Sequence, residues 1–249
     1  MCTTVSGEPA SIPGPYPPSG DRLPAGTRCT VLVMADQLTV PGMPSALVPS
    51  PDGLWRVDET TGAVTVSAQP RTDIFIDPSG VGVDGDENAA PSPAPVLNAA
   101  TLLGDLPPEG DFQFSARVSV AFAATFDAGV LLIWRDERCW GKLCFEFSPE
   151  GEPMIVSVIC RGVADDANAF VVADRSVWLR VSRIGRVYAY HASGDGTTWQ
   201  LIRVFSFDGE TTRDRIGFAG QSPTGDGCHV TFDEISFGPE RLADLRDGS

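Results

Sequence analysis

The segment 139–147, CWGKLCFEF, combines side chains that suit sugar recognition with a carboxylate that could move a proton. Neighbouring residues of a β-strand point to opposite faces, so Trp140, Lys142 and Glu146 share one face while Leu143 and Phe145 face a core. Aromatic rings stack on the apolar face of a sugar, and charged side chains hydrogen-bond its hydroxyls. We therefore expect a ligand face here, with Trp140 as the stacking ring and Glu146 as the first candidate acid or base.

Alternation in the following strands adds polar residues to this predicted face. In MIVSVICRG it assigns Val156 and Val158 to the core and leaves Ser157 and Arg161 beside Trp140. Later strands and loops contribute the remaining expected members, which are Arg180, His191, Arg203 and Gln221, the loop residues Asp165, Asp166 and Asn168, and, from TDIFIDP upstream, Asp73. The alternative is that these residues form only the solvated face of an antiparallel sheet.

Catalysis on this face would need more than one titratable group. Sugar hydrolysis requires two carboxyl groups about 5 Å apart, or farther apart when a water molecule lies between them. No ExDxxE-like strand is present, so a partner for Glu146 would come from Asp73, Asp165 or Asp166. His191 could serve as a general base, or it could make a structural hydrogen bond. The catalytic candidates are therefore Glu146, His191 and Asp166, although binding is better supported than cleavage.

The sequence predicts neither a metal site nor a cofactor. Only two histidines occur, and HExxH, GxGxxG, GxxxxGK[ST] and GxSxG motifs are absent. The run DGDEN at 84–88 begins like a calcium loop but lacks the glycine and the final glutamate that such a loop needs. The six cysteines have no metal-binding spacing, and we expect free thiols.

The charge balance argues against two classes of partner. With 18 basic and 33 acidic residues, the chain has a net charge of -15 and repels phosphate backbones and anionic membrane surfaces. The N-terminal residues contain neither a basic region nor an apolar run, and no stretch approaches the ~18 apolar residues of a membrane-spanning helix. We expect a cytoplasmic protein with no nucleic-acid or membrane partner.

Period-2 alternation dominates the chain from Phe112 onward. Nine candidate strands in roughly 126 residues, separated by Gly, Asp, Pro and Asn turns, predict an antiparallel sandwich or barrel. Three shorter strands precede them, and no segment has a helical apolar stripe. The predicted organisation is a Pro- and Gly-rich arm at 1–28, one domain at 29–240 with an acidic insert at about 77–95, and a tail at 241–249.

Several sequence blocks resemble a known family. They are TDIFIDP, DAGVLLIWRDERCWGKLCFEFSPEGEPMIVSVICRGVADDANAF, WLRVSRIGRVYAYHASGDGTTWQLIRVF and GFAGQSPTGDGCHVTFDEISF. These blocks are similar to "regulation of enolase" domains of unknown function in the concanavalin-A-like lectin/glucanase superfamily. The resemblance implies a two-sheet antiparallel jelly roll with a concave groove on one sheet, and it leaves the activity open.

Three functions fit these expectations. The first is binding of a carbohydrate or glycoside in the groove, extended to a glycoside-active enzyme. The second is acid-base chemistry of cyclase or isomerase type on a small non-sugar metabolite in the same groove. The third is a regulatory module that binds a protein partner.

Overall fold

Two seven-stranded antiparallel sheets dominate the structure and confirm the predicted all-β sandwich. The computed structural model describes residues 37–51, 53–80, 94–107, 109–209 and 214–249. These ranges contain no α-helix, and their one helical turn is a 3-10 turn at Pro78–Gly80. The strands are β1 Val48–Pro49, β2 Leu54–Val57, β3 Val64–Ala68, β4 Ile74–Phe75, β5 Val96–Leu97, β6 Ala100–Asp105, β7 Phe112–Ala121, β8 Ala128–Asp136, β9 Cys139–Phe147, β10 Pro153–Arg161, β11 Ala164–Val171, β12 Ser176–Ile184, β13 Val187–Ser193, β14 Gln200–Phe205, β15 Arg215–Gln221 and β16 Cys228–Gly238.

The sheets are built largely from hairpins that connect neighbouring strands. Sheet 1 has the strand order β1-β6-β15-β8-β9-β10-β11, and sheet 2 has the order β14-β13-β12-β7-β16-β3-β2. Strands β4 and β5 pair with each other outside both sheets. The hairpin SGDGTTW between β13 and β14 is a folding turn, in which the Asp195 carboxylate accepts hydrogen bonds from the backbone of Thr197 and Thr198.

The main core lies between the two sheets. Alternate residues of β7 are buried, as period-2 alternation predicts for a strand with one face on a core. Phe114 and Phe232 of sheet 2 pack against Phe218 of sheet 1, with ring centroids 5.4 and 4.7 Å apart. Leu143 and Phe145 of β9 belong to this core, as predicted.

A second apolar cluster covers the outer face of sheet 1, the face turned away from sheet 2. Ile74 and Ile76, in and after β4, pack there with Trp140, Val156 and other side chains of the sheet. The Ile76 carbonyl also accepts a 2.9 Å hydrogen bond from Ala164 N at the start of β11. The central strands of sheet 1 are therefore apolar on both faces, which makes their sequences near-continuous hydrophobic runs.

A buried ion pair ties the two sheets together near the start of β15. Asp214 accepts hydrogen bonds from Arg135 Nε at 2.8 Å and Arg135 Nη2 at 3.2 Å. The Tyr188 hydroxyl of sheet 2 donates to the same carboxylate at 2.9 Å. Burial and the adjacent Asp214 carboxylate raise the pKa of Tyr188, so the hydroxyl stays protonated and keeps this hydrogen bond.

Tyr188 and Tyr190 form a matched pair for testing this arrangement. The Tyr190 hydroxyl is equally buried but has no partner among the described residues. Tyr188→Phe should lower the free energy of unfolding by about 2 kcal/mol, because it removes a hydrogen bond to a charged group. Tyr190→Phe should leave it unchanged or raise it by about 1 kcal/mol, because an unpaired buried hydroxyl disappears. Urea unfolding followed by tryptophan fluorescence measures both, and equal losses would contradict the assignment.

The predicted N-terminal arm lies outside the described residues, and so does most of the acidic insert. At the other end, Leu242 is buried and residues 245–248 contact the outer face of sheet 2. The four described cysteines are free thiols, as predicted. In the described part of the chain, no helix has the length and apolar character needed to cross a membrane.

Candidate functional site

Four rows of side chains cross the outer face of sheet 1. Read from β15 through β8 and β9 to β10, the rows are Gln221, Ala128, Glu146 and Met154; Ala219, Val130, Cys144 and Val156; Gly217, Leu132, Lys142 and Val158; Arg215, Trp134, Trp140 and Cys160. Strand β11 extends all four of them, with Val171, Asn168, Asp166 and Ala164. Most of this surface is apolar, so the few polar side chains on it are conspicuous candidates for a site.

Lys142 is the centre of a group that we call the polar cluster: Asp73, Lys142, Glu146, Asp166 and Gln221. Its side chain is 3% exposed, and Nζ donates to Asp73 Oδ1 and to Gln221 Oε1, both at 3.1 Å. Burial alone lowers the pKa of Lys142, but neighbouring acidic groups, Asp73 foremost, raise it above the ordinary value. Lys142 therefore remains a cation and holds the acidic groups around it.

Glu146 is protonated at neutral pH. Its surface is 9% exposed, and burial, together with the negative charges of Asp166 and Asp73, raises its pKa to about 8 although Lys142 acts in the opposite direction. Side-chain hydrogen bonds within the polar cluster join Lys142 to Asp73 and Gln221, and in the described ranges none of them involves the carboxyl group of Glu146. Glu146 thus presents a free O–H donor and a carbonyl acceptor to the outer face.

Asp166 is a second carboxyl group with a perturbed pKa. It lies on the edge strand β11 beside Val158, and partial burial raises its pKa while the charge of Lys142 lowers it. Asn168 stands on the same face and is exposed. Asp166 and Asn168 therefore mark the open side of the polar cluster.

Hydrogen bonds to a buried loop hold Asp73 and Gln221 in place. Thr72 and Ser222, the chain neighbours of these two residues, bond to each other through Thr72 N to Ser222 O at 3.2 Å. The Ser222 hydroxyl donates to Asp127 Oδ1 at 2.6 Å, and Asp127 Oδ2 accepts from the backbone nitrogen of Ala124. Sequence reasoning missed this network because it links segments about 95 and 150 residues apart.

The predicted stacking role of Trp140 is wrong. Trp140 does face the side of Lys142, but the apolar cluster under β4 and β5 leaves its ring 0% exposed. Its Nε1 donates to the Glu137 carbonyl at 3.3 Å. Trp134, directly opposite on β8, is a half-buried ring on the same face, and sequence reasoning did not select it.

Ser157 and Arg161 do not lie on the face of the polar cluster. The β9–β10 register pairs Ser157 with Leu143 and Arg161 with Cys139, so both point to the sheet 2 side. Arg161 instead donates to the Ser206 carbonyl at 2.8 Å. The predicted faces of β10 were exchanged because both faces of this strand are apolar, which removes the contrast on which alternation depends.

Asp165 and Arg203 also lie away from the polar cluster. Asp165 pairs with Ile159 of β10, which faces the main core, and its carboxylate is 3.5 Å from Arg203 Nη2. Arg203 belongs to β14 at the edge of sheet 2. This ion pair bridges neighbouring edges of the two sheets, and the placement of both residues in the groove was wrong.

Arg180 and His191 occupy the opposite side of the sandwich. They face each other across β12 and β13 of sheet 2, on the face turned away from the main core. The prediction that they line a groove with Glu146 was therefore wrong, and His191 cannot be the base that assists Glu146. Its Nε2 donates to the Leu245 carbonyl at 2.8 Å.

No cluster of three or more His, Cys, Asp or Glu side chains suited to a metal ion occurs in the described ranges. The polar cluster instead offers one ammonium group, one amide and three carboxyl groups, and burial raises the pKa of two of these, Glu146 and Asp166. Such a set can hydrogen-bond hydroxyl groups and exchange protons with a ligand.

The fold and the polar cluster define a two-sheet all-β sandwich protein with a group of polar side chains around a buried lysine on the outer face of one sheet. Residues 52–240 match the family described as "Protein of unknown function (DUF1349)", and the chain belongs to that family. No curated protein matches the sequence.

Solved structures of other proteins share this fold. A functionally unknown protein from Saccharomyces cerevisiae is 23% identical with a TM-score of 0.60, and the match covers 76% of this chain and 97% of that one. A GH43 protein from Bacillus licheniformis is 10% identical with a TM-score of 0.53, covering 76% of this chain and 36% of that one. A xylan β-1,4-xylosidase from Bacillus halodurans is also 10% identical, with a TM-score of 0.52 and coverage of 74% and 34%. This chain thus corresponds to about a third of each of the two Bacillus proteins.

Proposed function

We propose that the polar cluster binds an uncharged carbohydrate or glycoside. The observation that carries the proposal is the placement of Glu146, a nearly buried carboxyl group without a hydrogen-bond partner in the described ranges, where burial raises its pKa to about 8. A protonated carboxyl group donates one hydrogen bond and accepts another, which matches the needs of a sugar hydroxyl. A carboxylate that only keeps a protein surface solvated would be exposed to water, whereas Glu146 is nearly buried.

The surroundings of Glu146 favour a neutral ligand with both apolar and hydroxyl groups. Lys142 and Asp73 neutralise each other, so neither leaves an unbalanced charge for an ionic ligand. Phe75 and Trp134, which are partly buried on the same outer face, offer apolar surface to the C–H face of a sugar ring. A xylan β-1,4-xylosidase is among the proteins of similar fold, which supports a sugar ligand only weakly because fold does not determine function.

A thermal-shift screen against monosaccharides, glycosides and sugar acids tests the proposal. A ligand at about 100 times its Kd stabilises the folded state by about 3 kcal/mol, which corresponds to a rise in Tm of roughly 5–10 °C for a chain of this size. We expect neutral sugars or glycosides to raise Tm and sugar acids to do so less.

Two substitutions of Glu146 make the screen specific. Glu146→Gln keeps a donor and an acceptor and should retain binding within a few-fold, whereas Glu146→Leu should abolish it. Glu150→Gln, in the exposed turn after β9, is the control and should behave like the wild type. If no sugar raises Tm, or if Glu146→Leu binds as well as the wild type, the proposal is wrong.

Acid-base catalysis is the second candidate, and the pair of carboxyl groups favours it. Glu146, with its pKa raised to about 8, could act as the acid, while Asp166, whose pKa the Lys142 charge lowers against the effect of burial, could act as the base. Glycoside hydrolysis and proton transfer on a small non-sugar metabolite are the two reactions that we propose for this pair. Glu146→Gln separates catalysis from binding, because it should retain the ligand but lose about 100-fold or more in turnover.

The remaining expectations from the sequence stay proposals. They are the narrower relation to "regulation of enolase" domains, a cytoplasmic location, and a regulatory role with a protein partner. A pull-down that captures one partner, combined with no small-molecule thermal shift, would favour the regulatory role over the sugar proposal.

A further inference from the structure

A second buried polar group lies on the outer face of sheet 2, on the opposite side of the sandwich from Lys142. Arg180 and His191 are direct neighbours across β12 and β13, and Ser182 follows two residues later on the same face of β12. Their exposures are 6%, 0% and 0%. Residues 245–248 cover Arg180 and His191, with the Gly248 carbonyl accepting from Arg180 Nη2 at 2.7 Å and the Leu245 carbonyl accepting from His191 Nε2.

The three side chains of this group retain hydrogen-bonding atoms that the covering segment does not pair. Arg180 Nε, Ser182 Oγ and His191 Nδ1 are buried atoms without a hydrogen-bond partner in the described ranges. Leaving such an atom unpaired costs about 1–3 kcal/mol, and three of them on one face indicate a place for ligand atoms.

Arg180 also differs from the arginines that hold carboxylates in this protein. Arg117 binds Asp233 and Arg135 binds Asp214, and both use Nε and Nη2 as a two-pronged fork. In Arg180, Nε has no hydrogen-bond partner and Nη2 donates to a carbonyl. No carboxylate of the described residues pairs with the Arg180 guanidinium. Burial lowers the pKa of Arg180 to about 10 with no acidic neighbour to offset it.

We propose that Arg180 anchors a second binding site, which takes a carboxylate-bearing ligand in the position that the Gly248 carbonyl now fills. The Nε–Nη2 edge of a guanidinium matches the two oxygens of a carboxylate. The fork is already oriented, because the Trp199 ring lies 4.1 Å from Arg180 Cζ and Gln113 Oε1 accepts from Nη1 at 3.1 Å. The Ser182 hydroxyl supplies a further donor beside it, whereas His191 Nδ1 is an acceptor while Nε2 holds the proton that it donates to Leu245.

Apart from the bonds of Gly248 to Arg180 and of Leu245 to His191, the hydrogen bonds of the covering segment do not reach sheet 2 within the described ranges. Its own hydrogen bonds, such as Gly248 N to Asp244 O at 3.0 Å, lie within the segment, and Leu242 is its buried anchor. Gly248 has a φ of +77°, and a Cβ added there would lie 2.5 Å from Arg180 Nη2 and 2.9 Å from Trp199 Cβ. A larger residue at position 248 must therefore move the segment away from Arg180.

A titration of the full chain with acetate tests this site independently of the sugar proposal. Binding is monitored through the NMR signals of the arginine Nε–H groups. The Arg180 signal is identified by its loss in Arg180→Lys. Gly248→Val should give a saturable shift of this signal with a Kd about tenfold or more below that of the wild type, because the covering segment no longer competes. Chloride keeps the ionic strength constant.

Two further variants complete the test. Gly185→Val lies in an exposed turn at φ +58° with nothing near its Cβ, and it should behave like the wild type. Leu242→Ala loosens the anchor of the covering segment and leaves Arg180 unchanged. It should show the same acetate-dependent shift as Gly248→Val, and it serves as the test if Gly248→Val folds poorly. The proposal is overturned if folded Leu242→Ala and Gly248→Val show no acetate-dependent shift at Arg180. It is also overturned if Gly185→Val shows the same decrease in Kd as Gly248→Val.

Discussion

Lys142→Met should lower the free energy of unfolding by about 3–5 kcal/mol, the cost of removing one partner of a buried ion pair. The substitution keeps the volume and apolar stem of the side chain but leaves Asp73 and Gln221 without the Nζ donor that lies 3.1 Å from each. It also removes the positive charge that lowers the pKa of Glu146 and Asp166. Urea unfolding at neutral pH measures the loss, and we expect ligand binding at the polar cluster to disappear with it.

A double-mutant cycle distinguishes the loss of the pair from a loss of packing. In Lys142→Met/Asp73→Asn no unpaired charge remains between these two positions, so most of the stability should return. The exposed pair Arg241–Asp111 is the control, and Arg241→Met should cost less than about 1 kcal/mol. If the double variant is no more stable than Lys142→Met, the ion pair is not what stabilises this face.

Glu146→Gln should become more stable than the wild type as the pH rises. The pKa of Glu146 is about 8 in the folded protein and 4.5 as the ordinary value, so between these values the folded state holds a proton that the unfolded state has released. The contribution of protonated Glu146 to stability is fully present below pH 4.5 and is lost as the pH rises through 8. The glutamine variant has no such loss.

The expected difference between Glu146→Gln and the wild type grows by about 1.4 kcal/mol per pH unit in this window, to about 4 kcal/mol near pH 8. Urea unfolding at several pH values between 5 and 8 measures it. Glu150→Gln should follow the wild-type curve throughout. Parallel curves for Glu146→Gln and the wild type would show that the Glu146 carboxyl group is ionised at neutral pH.

The polar face of β9 could be predicted from the sequence, because a strand with a strongly apolar set and a polar set reveals its two sides. Lys142 and Glu146 lie opposite Leu143 and Phe145, as alternation indicates. The same rule failed on β10, where Val156 and Val158 are as apolar as Ile155 and Ile159. There the β4–β5 pair covers the outer face, and no pattern within β10 reveals a cover supplied by residues far away in the chain.

The placement of Arg180 and His191 shows a different limit. Their strands have the expected alternation, and both side chains point away from the main core. Period 2 indicates which side of its own strand a residue occupies, but not which of two sheets that strand joins. The pairing of β12 with β7 assigns Arg180 to sheet 2, so two residues predicted to share a groove with Glu146 form a separate site.

The sequence by itself determined the all-β class and the polar side of β9, because both depend on local alternation and turn composition. Only the tertiary structure decided that Trp140 is covered, that Asp73 and Gln221 meet at Lys142, and that Arg180 lies beneath residues 245–248. These contacts join segments from 68 to 79 residues apart, or they depend on which sheet a strand enters. Strand registers and sheet order determine them, and neither can be read from a single strand.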